Sequence, residues 1–230
     1  MINLYKISVS ISFDSVTVEN MYEYINMLKD CKADRVFFCG PGEIHTKNCL
    51  LYKKYEQLAE IINTFKIEGF ETGVWVSSFG HGVALMTENV SDGKNEYVQM
   101  EGIRGDKGVY ANCPLDENFT DAYMQGITKV AMLNPDFIML DDDFRINTRK
   151  YFFGCFCKLH LKRYYEIVGE ETPREELEKL ILTGGKNKYR DAYLQLAREA
   201  LITFAKKLRN AVDKINPYIL RSVHLDERVS

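Results

Sequence analysis

The stretch that decides the fold is NPDFIMLDDDFR, Asn134 to Arg145. Asn134-Pro135 halts the helix before it, because proline has no N–H to continue a helical ladder and restricts the residue that precedes it. Four apolar residues, Phe137 to Leu140, make a run of strand length that drives straight into Asp141, Asp142 and Asp143. The same punctuation returns at Asn216-Pro217, ahead of YILRSV (residues 218–223). Two helix-to-strand junctions are therefore built alike.

Working outward, strands and helices alternate. INLYKISVSISF (Ile2–Phe13) is rich in β-branched and aromatic residues and reads as a first strand. TVENMYEYINMLKDCKA (Thr17–Ala33) follows as an amphipathic helix, with Thr17 as N-cap and Met21, Tyr24, Ile25 and Leu28 at helical spacing. RVFFCG (Arg35–Gly40) is a second strand, and its lack of alternation implies burial on both faces. One helix is expected over Cys49–Gly69. FETGVWVSSFGHG (Phe70–Gly82) gives the third strand and its exit loop, with Trp75 in the core. A helix over Phe119–Leu133 leads into the Asn134-Pro135 junction and the fourth strand. Helices then follow from Cys155, from the capping box Thr172-Pro173-Arg174-Glu175, and over the long run carrying Tyr189, Tyr193, Leu196, Ala200, Phe204, Leu208 and Ala211. YILRSV is the fifth strand.

Regular alternation implies parallel strands covered by helices. A Rossmann sheet would place a glycine-rich turn after the first strand, and SISFDSVTVEN has none. Polar residues instead follow several different strands, as in TIM barrels. About 50 residues are spent per unit, so five parallel strands use the whole chain where eight would need roughly 350 residues. The expected fold is α/β: an incomplete (β/α)8 TIM barrel. Residues 1–230 form the N-terminal portion of a single barrel domain with a long mouth loop over 87–113. An open barrel exposes two sheet edges, so a homo-oligomer or a missing C-terminal half is expected to complete it.

The 230 residues carry a net charge of −3 with dispersed basic residues, so no nucleic-acid footprint is present. No apolar run approaches the roughly 20 residues that span a bilayer, and the first residues lack the pattern of a secretory signal. Six cysteines at irregular spacing do not make a disulfide scaffold. Free thiols in a reducing cytoplasm are the expectation.

The aspartate run carries the chemistry. Strand period two sends Asp141 and Asp143 one way and Asp142 the other. Arg145 shares the first parity if the extended backbone continues. A guanidinium favours a neighbouring carboxylate's ionised form while adjacent carboxylates resist sharing charge, so the cluster splits its proton affinities, as hydrolysis of a glycosidic bond requires. His81, between two glycines beyond strand three, could bind a sugar hydroxyl; no Gly-Lys-Ser/Thr follows, so this is not a phosphate loop. Glu43 and His45 lie on the loop after strand two, which reads first as solvated. Residues Thr87 to Cys113 hold no helix, and Tyr97 and Tyr110 there offer an aromatic platform to a sugar ring. GCFCKLH supplies Cys155, Cys157 and His160, with Cys113 as a fourth thiol or imidazole ligand suited to zinc. If that segment were helical, Cys155 and Cys157 would point to different sides. Buried structural thiols without a cofactor are thus the first expectation, and zinc the second.

IMLDDDFR followed by GCFCKLHLKRY, with GVWVSSFGHG and CPLD (Cys113–Asp116), resembles the glycoside-hydrolase-like TIM barrels of bacterial carbohydrate-degrading proteins. The resemblance covers the chain to about Pro217. It implies hydrolysis of O-glycosyl bonds in a saccharide by paired carboxylates, with the strand-four carboxylate at Asp141, Asp142 or Asp143. β-Galactosidase-like barrels of this clan carry Asn-Glu at that strand end, where this chain has Asp-Asp, and they often end the cysteine segment in a third cysteine, where this chain has His160. Their second carboxylate comes from a later strand. The rival expectations are a metal-dependent hydrolase with Asp141, Asp143, His81 and His45 as ligands, and a non-catalytic saccharide-binding barrel.

Overall fold

The computed structural model describes residues 5–79, 96–141, 144–148, 152–183 and 185–222. The chain divides into two compact units: residues 1–78, 122–142 and 208–230, and residues 79–121 and 143–207. No helix among the described residues is long and apolar enough to cross a membrane.

The first unit is a five-stranded parallel sheet. Its strands are β1 (Ser8–Ser12), β2 (Arg35–Cys39), β3 (Glu71–Val76), β6 (Phe137–Leu140) and β9 (Leu220–Ser222), hydrogen-bonded in that order. Helices α1 (Met21–Asp30), α2 (Leu50–Lys53) and α3 (Tyr55–Ile67) belong to it. So do the later turns of α4 (Glu117–Met132) and the last residues of α7 (Lys188–Asp213). Five parallel strands with intervening helices are the incomplete TIM barrel that the alternation predicts.

Side-chain parity explains the sheet. Ile11, Val36, Phe38, Val74, Val76, Ile138 and Leu140 are buried, as are Ile25 and Leu28 of α1 and Leu58, Ile61, Ile62 and Phe65 of α3. Phe38 stacks on Phe13 and meets Phe65 edge-on, with ring centroids 5.3 and 5.1 Å apart. The opposite parity forms the barrel's inner face. There Arg35, Phe37, Cys39, Trp75 and Met139 are only half-buried, and Leu220 is exposed. This corrects two expectations. β2 does alternate, with Val36 and Phe38 buried and its other residues half-covered, because the inner face of an open barrel has no opposing strands. Trp75 is an inner-face residue for the same reason.

Phe137 lies across that face. Its ring meets Phe37 at 4.6 Å and Arg35 stacks over it at 4.6 Å. This is possible because β3 offers Gly73 beneath: a Cβ there would fall 1.9 Å from the Phe137 ring. At the N-terminal edge of the sheet, Glu71 is bound by Lys6 and by Arg35 at 2.7 Å, which hold its carboxyl below the usual glutamate range. Lys66 pairs with Asp136 at 3.1 Å, and a cavity of about 340 Å³ lies among these groups. The two Asn-Pro junctions meet here. Asn134 takes the left-handed conformation (φ 55°) that ends α4, and its side-chain oxygen accepts from Asn216 at 2.9 Å.

Other expectations shift locally. α1 starts at Met21 behind Asn20, whose side chain accepts from the Thr17 N–H at 2.7 Å, so Thr17 is one partner of a paired turn rather than the N-cap. The single helix expected over Cys49–Gly69 breaks at Lys54 into α2 and α3.

The second unit holds an antiparallel hairpin, β4 (Gln99–Glu101) and β5 (Lys107–Asn112), inside the expected mouth loop. It also holds a short hairpin, β7 (Asn147–Thr148) and β8 (Phe152–Phe153), and helices α5 (Lys158–Val168) and α6 (Arg174–Glu178). The expected capping box is replaced by a start at Arg174 directly after Pro173, without a side-chain cap. Arg174 ties the unit together: it binds Glu101 and donates to the carbonyls of Phe156 at 2.9 Å and Gly102 at 3.0 Å.

Replacing Gly73 by alanine forces the Phe137 ring off its seat and costs about 1–3 kcal/mol, measurable by urea unfolding. In a Phe137→Ala background the same substitution costs much less, because the clash has been removed.

Candidate functional site

Candidate residues of the first unit lie on segments that leave the C-terminal ends of β2 and β6. β6 ends at Asp141, whose N–H donates to Val76 O at 2.9 Å and so extends the ladder by one residue. Asp141 follows Phe137 and Met139 in parity, which assigns it to the inner face, and it is half-buried. Asp142 and Asp143 lie outside the described residues, as does His81 on the loop after β3.

The loop after β2 is not the solvated stretch that the sequence suggests. Gly40 and Gly42 adopt φ of 78° and 83°, which turn the chain sharply. Ile44 is fully buried and His45 is buried beside it. His45 Nε2 lies 3.3 Å from the Glu43 carboxylate, which keeps partial access to solvent. An apolar residue between the two polar ones inserts under α4 and draws the pair down with it.

In the second unit, Arg145 is half-buried. Tyr97 is half-buried too, its ring edge-on to Phe119 at 5.6 Å, and burial pushes its hydroxyl pKa up. Tyr110 lies within β5, and its side chain is outside what is described. Sequence reasoning passed over Phe79, which is fully buried against Phe119, Phe144 and Phe204. The only signal available was its place directly after an apolar strand.

The second unit also brings Cys113, Cys155, Cys157 and His160 together, all buried, with one ligand atom from each lying within 4.8 Å of the others. The expectation that Cys155 and Cys157 diverge fails because α5 begins only at Lys158. Cys157 is the extended residue before it (ψ 168°), and the two cysteines sit on non-helical backbone. His160, in the first turn of α5, turns Nδ1 toward Cys113 at 3.2 Å and Cys157 at 3.7 Å, and the Cys113 and Cys157 sulfurs are 3.5 Å apart. The Nε2 atom of His160 is buried without a hydrogen-bond partner.

The surroundings fix these positions. Cys113 N–H donates to Val98 O at 2.8 Å, and Tyr193 OH accepts from Cys155 N–H at 2.9 Å. Phe156 stacks on the Tyr193 ring at 4.6 Å. Gly154 passes so close that a Cβ would fall 1.8 Å from the Tyr193 hydroxyl. Burial pushes the Cys113 thiol up and the Cys155 thiol up to about 12, while hydrogen bonds from Cys113 and then Cys155 hold Cys157 below the ordinary thiol range.

Four donors around a tetrahedral zinc, with Zn–S of about 2.3 Å and Zn–N of about 2.0 Å, stand about 3.6–3.8 Å from one another. The separations among Cys113, Cys157 and His160, 3.2–3.7 Å, lie near this spacing, all four ligand atoms fall within 4.8 Å, and the thiolate and imidazole chemistry fits. Among the described residues this is the one group of His, Cys, Asp and Glu side chains able to hold a metal ion.

No family profile matches the chain, and no curated protein does. Solved structures resemble it closely in fold. The β-amylase catalytic domain of Paenibacillus polymyxa aligns over 95% of this chain and 65% of its own, with a TM-score of 0.63 at 13% identity. The PgaB glycoside hydrolase domain of Bordetella bronchiseptica aligns over 94% and 64%, with a TM-score of 0.61 at 13% identity. The β-galactosidase of Halorubrum lacusprofundi aligns over 94% and 36%, with a TM-score of 0.60 at 10% identity. The chain thus spans about a third to two thirds of these proteins' length. Its fold is that of the glycoside-hydrolase-like TIM barrels, present as an incomplete barrel of five parallel strands.

Proposed function

We propose that this chain acts in glycoside hydrolysis and that the aspartate run ending β6 supplies an acid/base or nucleophilic carboxylate. One observation carries the reading. Asp141 closes a central parallel strand on the inner-face parity, at the C-terminal edge where TIM barrels hold their chemistry. Asp143 shares that parity in an extended chain and is the leading candidate for proton transfer, with Asp141 as its partner and Arg145 favouring their ionised forms. Asp143→Asn lowers turnover of nitrophenyl glycosides by about 10²–10⁴-fold. Unchanged turnover removes Asp143 from the mechanism, and saccharide binding with no turnover in the unaltered protein identifies a binding barrel instead.

Cys113, Cys155, Cys157 and His160 are read as a structural zinc centre. A closed set of four protein ligands leaves no position for substrate, so the metal would supply cross-linking energy between the hairpin, the loop before α5 and α5 itself. This separates that metal from the reaction, since none of the four ligands belongs to the aspartate run. Elemental analysis is expected to find one zinc per chain. A strong chelator should lower the melting temperature of the parent protein and of Cys49→Ala, whose buried thiol lies outside the cluster, but not that of Cys157→Ala. Absence of stoichiometric metal from protein purified without chelators would close the question against zinc.

A further inference from the structure

We propose that Glu43, held by His45, is a further carboxylate of the same strand-end site as Asp141, so that carboxylates from two different strand exits of this chain face one saccharide. The proposal rests on the glycoside-hydrolase reading and extends it from the end of β6 to the loop after β2.

The loop is built to hold this pair. His45 has a side chain only 5% exposed, and a buried imidazole needs a polar partner; Glu43 provides one at 3.3 Å while its own side chain stays 26% exposed. The imidazole is sequestered and the carboxylate keeps access to solvent. A buried imidazole thus fixes a carboxylate that remains open to a ligand.

A series of contacts carries the loop toward Asp141. Ile44 is fully buried, and its carbonyl lies against Gly126 of α4, where a Cβ would fall 2.0 Å from the oxygen. One turn earlier on α4, Tyr123 donates its hydroxyl to Ser77 O at 2.9 Å, just past the end of β3. The neighbouring carbonyl, Val76 O, accepts the Asp141 N–H. The loop that leaves β2 is thereby fastened to the helix that is itself fastened at the β3–β6 seam.

Only β3 separates β2 from β6, so the two strand ends stand about 10 Å apart at two inter-strand spacings. Glu43 lies on the loop four residues beyond the end of β2, so its carboxyl can reach across that gap; a pair about 6.5–9.5 Å apart, with a water between base and sugar, gives inversion. In that reaction one carboxylic acid protonates the glycosidic oxygen as its bond to the anomeric carbon breaks. The other carboxylate takes a proton from the water whose oxygen bonds to that carbon. The products are an alcohol and a sugar of inverted configuration, and one proton has moved between the two carboxyls.

The test is calorimetric titration of two protonated iminosugars, 1-deoxynojirimycin and 1-deoxygalactonojirimycin, whose cation reports on paired carboxylates. The unaltered protein is expected to bind at least one of them. Glu43→Gln and Asp141→Asn should each weaken that binding at least tenfold. His45→Ala should weaken it too, with His45→Gln, which keeps an N–H donor, restoring part of the affinity. Should Glu43→Gln fail to fold, Glu43→Asp keeps the charge, shortens the reach and is expected to weaken binding. Loss on Asp141→Asn with none on Glu43→Gln overturns the pair and leaves the aspartate run in place. Indifference to both substitutions overturns both. A protein that hydrolyses nitrophenyl glycosides yet binds neither iminosugar overturns the pair alone.

Discussion

The sheet depends on one constraint, the two-residue period of its strands. Every second side chain of β2, β3 and β6, and Ile11 of β1, is buried with the helices' apolar residues, and the intervening ones line the inner face. That division assigns Asp141 to the inside of the barrel. It also explains why Gly73 is needed, since Phe137 can fold down on the inner face only where β3 lacks a side chain. A one-residue register slip would exchange the two faces and bury Arg35 and Glu71 against α3, so the register is strongly specified.

The two edges of the sheet have opposite characters. At the N-terminal edge, Lys6, Arg35 and Lys66 are matched by Glu71 and Asp136, and the Asn134–Asn216 bond joins the junctions that start β6 and β9. These groups satisfy one another, as expected where a barrel is held together rather than where it reacts. At the C-terminal edge, the Glu43–His45 pair and Asp141 follow different strands. Within the second unit, inserted in sequence after β3 and again after β6, Arg174 fastens the hairpin and Tyr193 fastens the loop that presents Cys155.

Periodicity and punctuation carried most of the fold. Asn134-Pro135 and Asn216-Pro217 marked the starts of β6 and β9, and the helical stripes of α1, α3, α4 and α7 were legible from their spacing. What was hidden depended on tertiary partners. The half-exposure of Phe37 and Trp75 follows from the open inner face, which no local pattern of β2 or β3 announces. The β4–β5 hairpin was masked by glycines and charges that read as loop. Cys113, Cys155, Cys157 and His160 were legible as zinc candidates by residue type, but their convergence turns on α5 starting at Lys158, directly after the second cysteine. His45 looked solvated because the residue that buries its loop, Ile44, has its partner at Gly126 on α4.

The most direct measurement is an NMR map of backbone amide shifts as lactose and maltose are added to the isotope-labelled protein. Perturbations clustered at the C-terminal ends of the strands, in Gly40–Thr46, Ser77–Phe79 and around Asp141, are the expected result. Perturbations clustered at Lys66, Asp136 and Asn216, with the C-terminal ends unmoved, would contradict the assignment of the chemistry to the strand ends that carry the aspartates.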